Sequence, residues 1–88
     1  MLARNRILIH TEEQPQLKIE IFHLACLMKI SGWIINIEKG ILEIIAQADE
    51  KELSQFRLTI RDLQEEGKNM ETIFCEPKIM NHNNFLIG

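Results

Sequence analysis

Residues 32–56, "GWIINIEKGILEIIAQADEKELSQF", contain two β-branched-rich runs followed by the opening of a helix. Gly32 to Ile37 and Ile41 to Ala48 are separated by Glu38-Lys39-Gly40. Gly40 can supply the positive φ of a tight turn, so the two runs read as a β-hairpin. Asp49 then caps a helix, Glu52 three positions on fits a capping box, and Glu50 suits the positive end of the helix dipole. Leu53, Phe56, Ile60 and Leu63 fall on one face of that helix, which is expected to stop near Gly67. The polar remainder of "EKELSQFRLTIRDLQEEGK" reads as a solvated helix face.

Outward from this unit the same pattern continues. Arg4 to His10 reads as a strand, with Ile7 and Ile9 on one face and Leu8 and His10 on the other. From Lys18 to about Lys29, Leu17, Ile21, Leu24 and Met28 line one helical face with Ala25 beside them. Met70 to Glu76 alternates imperfectly and meets Pro77, which cannot donate to a ladder, and "NNFLIG" at the end offers a fifth, edge strand. The order strand, helix, strand, strand, helix, strand predicts an α+β fold. Its form is a ferredoxin-like split βαβ (βαββαβ), an antiparallel sheet with two helices on one face. Residues 1–88 are expected to form a single domain, without repeat, linker or low-complexity segment.

Bulk properties narrow the function. A chain of 88 residues buries roughly 60–65% of its unfolded surface, enough for a small independent fold. Apolar residues make up 45% and charged residues 26%, too apolar for a disordered chain. The formal charge of −3 and the scatter of the ten Lys and Arg argue against a nucleic-acid partner. No apolar run approaches a membrane span or a signal-peptide core, so no membrane partner is expected and the cytoplasm is the expected compartment. Cys26 and Cys75 lack metal or redox spacing and read as small buried hydrophobes. His10, His23 and His82 show no ligand spacing, so no metal is expected.

The stretch His23 to Phe56 resembles the acylphosphatase family. That family's first helix ends Leu-Ala, here Leu24-Ala25. A Gly-Trp-x-x-Asn strand follows, here Gly32-Trp33-Ile34-Ile35-Asn36. Next come a turn closing on glycine (Gly40), a Val-Glu-rich strand (Leu42-Glu43) and an acidic cap (Asp49-Glu50). "NFLIG" is similar to the family's last strand, which usually ends Phe-x-Ile followed by an arginine or a similar residue. The family's phosphate loop has the pattern Gly-x-Val-Gln-Gly-Val-Gly-Phe-Arg. Counted back from Asn36 without a gap, it aligns with His10 to Lys18, placing Lys18 at the arginine.

The resemblance implies metal-free and cofactor-free hydrolysis of a carboxyl phosphate. Loop N–H groups and the arginine would hold the phosphoryl oxygens while the strand asparagine, here Asn36, positions the attacking water. The candidate catalytic residues are therefore Lys18 and Asn36, and the candidate loop is Glu13, Gln14, Pro15, Gln16, Leu17 and Lys18. Its chemistry departs from the family. Lys18 keeps the charge without the bidentate fork, Pro15 lacks an N–H, no glycine is present, and Glu12 and Glu13 repel a dianion. The expected function is an acylphosphatase-like domain with a degenerate phosphate loop and weak or no hydrolase activity. Its expected partner is a small acyl phosphate or another anion, while nothing in the sequence specifies a protein partner. Two alternatives stand beside it: an active, divergent acylphosphatase using Lys18 and Asn36, and a ferredoxin-like ligand-binding or interaction module.

Overall fold

A computed structural model describes residues 1–11, 15–64, 69–79 and 84–88. Its elements are β1 (Leu2–His10), α1 (Pro15–Leu27), β2 (Ser31–Glu38), β3 (Ile41–Asp49), α2 (Glu50–Leu63), β4 (Met70–Cys75) and β5 (Phe85–Ile87). They form one sheet in the order β4-β1-β3-β2-β5 with two helices, the expected α+β, ferredoxin-like βαββαβ arrangement plus the fifth strand. The first four strands pair antiparallel. β5 departs from that pattern: it lies parallel to β2, with Gly32 opposite Phe85, and makes the sheet mixed.

Alternation sets which side of the sheet is covered. Ile7 and Ile9 of β1, Ile34 of β2, and Leu42, Ile44, Ala46 and Ala48 of β3 form one core with both helices. Helix α1 adds Leu17, Ile21 and Ala25, with Leu24 and Met28 partly buried against them, and α2 adds Leu53, Phe56 and Ile60. Each large apolar side chain taken fully out of water contributes about 1.5–3 kcal/mol before conformational entropy is counted. Leu63, the last residue of the expected α2 stripe, remains 40% exposed at the helix end.

The two glycines of the hairpin do different work. Gly40 closes the β2–β3 turn at φ 81°. Gly32 has φ 145°, and a Cβ there would lie 1.8 Å from the Ile45 carbonyl oxygen, so no side chain fits while β2 keeps its place against β3. A shift in the β2–β3 register between Asn36 and Glu38 marks a bulge just before the turn.

Helix α1 starts three residues before Lys18. Proline is tolerated as the first helical residue because its missing N–H would have no intrahelical partner anyway, and its φ is already helical. The helix ends at Leu27 rather than Lys29, which instead takes the left-handed conformation at φ 56°. The Ile30 N–H donates to the Ala25 carbonyl at 3.0 Å and the Lys29 N–H to the Cys26 carbonyl at 3.1 Å, the paired bonds of a Schellman end. Helix α2 is capped by Asp49, whose carboxylate accepts from the Lys51 N–H at 3.0 Å and from the Met1 amino group at 2.7 Å. The amino-group bond first, and the Lys51 N–H second, hold the Asp49 carboxyl below its ordinary value. The helix closes at Gln64, and the expected stop at Gly67 lies outside the described residues.

The cysteines are not buried. Cys26 is exposed, one position round the helix from buried Ala25, and Cys75 is half-buried at the end of edge strand β4. Both are free thiols. On the sheet face away from the helices, Arg4 lies 5.6 Å from the ring centre of half-buried Trp33, and Arg6 pairs with Glu43 at 2.7 Å. The chain following β4 runs under this face. There the buried Gln47 amide donates to the Lys78 carbonyl at 2.6 Å and accepts from the Lys78 N–H at 2.9 Å.

Candidate functional site

β1 pairs with β3 through His10 and Ile41, so the chain leaving β1 emerges beside the β2–β3 turn. The Thr11 N–H donates to the Gly40 carbonyl at 2.8 Å and fixes that junction. Helix α1 begins on the other side of it. Between them is an open cavity of about 560 Å³, bounded by Thr11, Pro15, Lys18, Asn36, Glu38 and Lys39 among others.

Lys18 and Asn36, one on α1 and the other toward the end of β2, meet in this cavity. The Lys18 ammonium donates to Asn36 Oδ1 at 2.8 Å and also to the Gly88 carbonyl. A lysine can only donate, so this contact fixes the Asn36 amide with its oxygen toward Lys18 and its Nδ2 donors turned elsewhere. Two lysines and Glu38 leave these three groups with a net positive charge at the cavity mouth.

The residues aligned with the phosphate loop divide into separate groups. Pro15, Gln16 and Leu17 form the first turn of α1. Leu17 is 5% exposed and its side chain belongs to the core, so only its backbone can face a ligand. Gln16 bonds along the helix to Glu20 at 3.3 Å. The N–H groups of Gln16 and Leu17 lie in the first turn, where helices lack internal acceptors, whereas Pro15 has no N–H to offer. Glu13 and Gln14, with Glu12, lie outside the described residues.

Sequence reasoning did not assign Glu38, Lys39 or Gly88 to the site. The β1–β3 register was the missing signal, because it alone brings the turn carrying Lys39 against Thr11. Gly88 enters through parallel β5, whose pairing with β2 extends to the Gly88 N–H donating to the Ile34 carbonyl at 3.0 Å. Among the described residues, no group of three or more His, Cys, Asp or Glu side chains gathers as a metal site would require.

No protein-family model and no curated protein sequence matches the chain. Solved structures do. The chain superposes on an acylphosphatase from Bacillus subtilis with a TM-score of 0.83 and 22% identity, covering 100% of this chain and 99% of that one. An acylphosphatase from Coxiella burnetii gives a TM-score of 0.80 and 12% identity, covering 99% of this chain and 93% of that one. A full-length HypF in a phosphate- and nucleotide-bound form gives 0.77 and 20% identity, with all of this chain matching 12% of the larger protein. The fold is that of an acylphosphatase domain. No helix among the described residues is long and apolar enough to cross a membrane.

Proposed function

We propose that the chain is an acylphosphatase-like domain whose Lys18–Asn36 cavity binds a small oxyanion, an acyl phosphate or a related anion, with weak or no hydrolysis. The observation that carries this reading is the bond from the Lys18 ammonium to Asn36 Oδ1. Hydrolysis of a carboxyl phosphate forms a bond from a water oxygen to phosphorus and breaks the bond from phosphorus to the acyl oxygen, releasing a carboxylate and phosphate. The attacking water must shed a proton, so it is best oriented by an acceptor. Here the carbonyl oxygen of Asn36 already accepts from Lys18. Its Nδ2 donors suit an anion's oxygens better than they suit a nucleophilic water.

Charge attraction remains. Lys18 supplies a point charge without a two-pronged grip, Lys39 adds a second cation at the rim, and the α1 dipole favours an anion near Gln16 and Leu17. Loss of a single preorganised donor from such a site costs about 10²–10³ in rate. Replacing the fork and removing one loop N–H therefore fits an anion binder better than an efficient hydrolase.

A second reading is supported by the meeting of Lys18 and Asn36 itself: a slow, divergent acylphosphatase in which Lys18 holds phosphate and Asn36 directs water. Acetyl phosphate hydrolysis and inorganic phosphate binding, measured side by side on the parent chain, Lys18→Ala and Asn36→Ala, separate the two. The binding reading expects all three to hydrolyse at the buffer rate, with the phosphate-induced amide shifts of Lys18, Asn36 and Lys39 lost in Lys18→Ala. A parent rate well above buffer that falls about 10²-fold or more in Asn36→Ala would establish the hydrolase instead. Phosphate-induced shifts at Lys18, Asn36 and Lys39 that keep the parent affinity when Lys18 is replaced by alanine would remove both readings.

A further inference from the structure

A second cavity, of about 380 Å³, opens between α2 and β4. Its α2 wall is Ser54, Arg57, Leu58 and Arg61, the i, i+3, i+4 and i+7 positions of one helical stripe, and its β4 wall is Met70 and Thr72. It shares no lining residue with the Lys18 cavity.

Arg57 is held in place before any ligand arrives. Its guanidinium donates to Oδ1 of the fully buried Asn5 and, at 3.0 Å, to Glu50, and it lies 5.2 Å from the ring centre of Phe74. With its side chain only 20% exposed, it has little rotamer freedom left to lose, yet three of its five N–H groups have no partner among the described residues.

Arg61 stands one turn further along. It forms no ion pair or side-chain hydrogen bond among the described residues, and like charges four apart on a helix repel one another. Glu50 is already engaged by Arg57, and Asp62 is one position beyond Arg61, about 100° round the helix. The hydroxyls of Ser54 and Thr72 also have no partner among the described residues, whereas that of Thr59 folds back onto the Gln55 carbonyl at 2.9 Å.

We propose that this cleft is a binding site for a phosphate monoester carried on a small organic molecule. Two guanidinium groups and two hydroxyls offer more donors than the two oxygens of a carboxylate can accept, and they suit the three outer oxygens of a phosphate. Arg57 and Arg61 take the phosphate, Ser54 and Thr72 complete its shell, and Leu58 and Met70 form the apolar wall against the organic part. A chain with net charge −3 offers no general attraction for anions, so binding depends on this local pair and weakens with salt.

The test is a titration of the isotope-labelled full chain with glycerol phosphate, and with acetate at matched ionic strength, followed by amide and arginine Nε–H resonances. The expected result is a saturable phosphate-specific shift at Ser54, Arg57, Arg61 and Thr72 that persists in Lys18→Ala. It should weaken about tenfold in Arg61→Gln, the loss of one charge-assisted contact. Arg61 is exposed in the last turn of α2, so this variant keeps the fold, and Arg61→Lys should fall between it and the parent. Unchanged affinity in Arg61→Gln, equal response to acetate, or shifts confined to the Lys18 cavity would overturn the proposal.

Discussion

Helices α1 and α2 pack on the same face of the sheet and bury comparable stripes, but their ends are built differently. α2 enters from an Asp49 cap, has Glu50 and Glu52 in its first turn and Arg61 in its last, so its own residues answer its dipole. α1 enters on Pro15 with no acid in its first turn, has no base in its last, and closes on a lysine in a conformation that glycine adopts more easily. Core packing seats both helices. Dipole-matched charges stand at both ends of α2 only, whereas α1 closes on the paired backbone bonds of Lys29 and Ile30 and places its first turn beside the cavity that holds Lys18.

The largest expected effect tests the shared part of this comparison. Phe56→Ala removes the largest fully buried side chain of α2 and should cost about 3–5 kcal/mol in urea unfolding, and Ile21→Ala under α1 about 2–5 kcal/mol. If the α1 variant is nearly neutral, the helices are not equivalently seated.

The difference at the entrances comes next. Asp49→Ala removes the α2 cap and should lower the melting temperature by several degrees, while Asp49→Asn keeps an acceptor and should lower it less. Because the folded state depresses the Asp49 carboxyl from 3.8, its contribution is present above that value and is lost as pH falls through the lower, folded one. The Asp49→Asn chain should therefore lack that part of the acid-induced loss of stability, as read from melting curves below about pH 4.

The smallest effect sharpens the contrast at the exits. Lys29→Gly relieves the positive φ and should raise stability by about 0.5–1 kcal/mol in the same urea measurement. A loss of stability there would mean that the lysine side chain contributes more than its backbone strain costs.

These ends also explain what was legible in the sequence. The hairpin, the Asp49 cap and both apolar stripes follow from local spacing, and the structure places them where spacing does. α1 starts at Pro15 and not at the expected Lys18, because proline reads as a breaker in a loop and as a good first residue in a helix, and only context separates the two. The parallel direction of β5 has no local signature, since a three-residue strand carries no pattern that specifies its neighbour. The apolar neighbours of Cys26 predict a core position, but one step round a helix separates a buried position from an exposed one.

The two cavities divide in the same way. The expectation of Lys18 and Asn36 as a pair follows from their spacing to a recognisable strand, and their side chains lie 2.8 Å apart. Lys39 lies three residues beyond Asn36 in the same hairpin, and Gly88 joins them through the parallel pairing of β5, which links residues far apart in the chain. The spacing of Arg57 and Arg61 is visible in the sequence but reads there as a solvated helix face. Its meaning changes once Asn5 and Phe74, from two other strands, are seen to hold Arg57 in place.

The amide bridge from Gln47 to Lys78 also bears on the entropy of the connection it pins. β4 and β5 lie at opposite edges of the sheet, four inter-strand steps or roughly 19 Å apart. Nine residues separate Cys75 from Phe85, a length that could reach well beyond that span if extended. Gln47 stands on β3, partway along the route, and its side chain offers Lys78 the same donor and acceptor that a neighbouring strand would. The bridge divides the connection in sequence at Lys78, three positions after Cys75 and seven before Phe85. Once the bridge holds Lys78, the closure that remains to dock the three-residue edge strand is about 0.3 kcal/mol cheaper on the logarithmic dependence of closure cost on length.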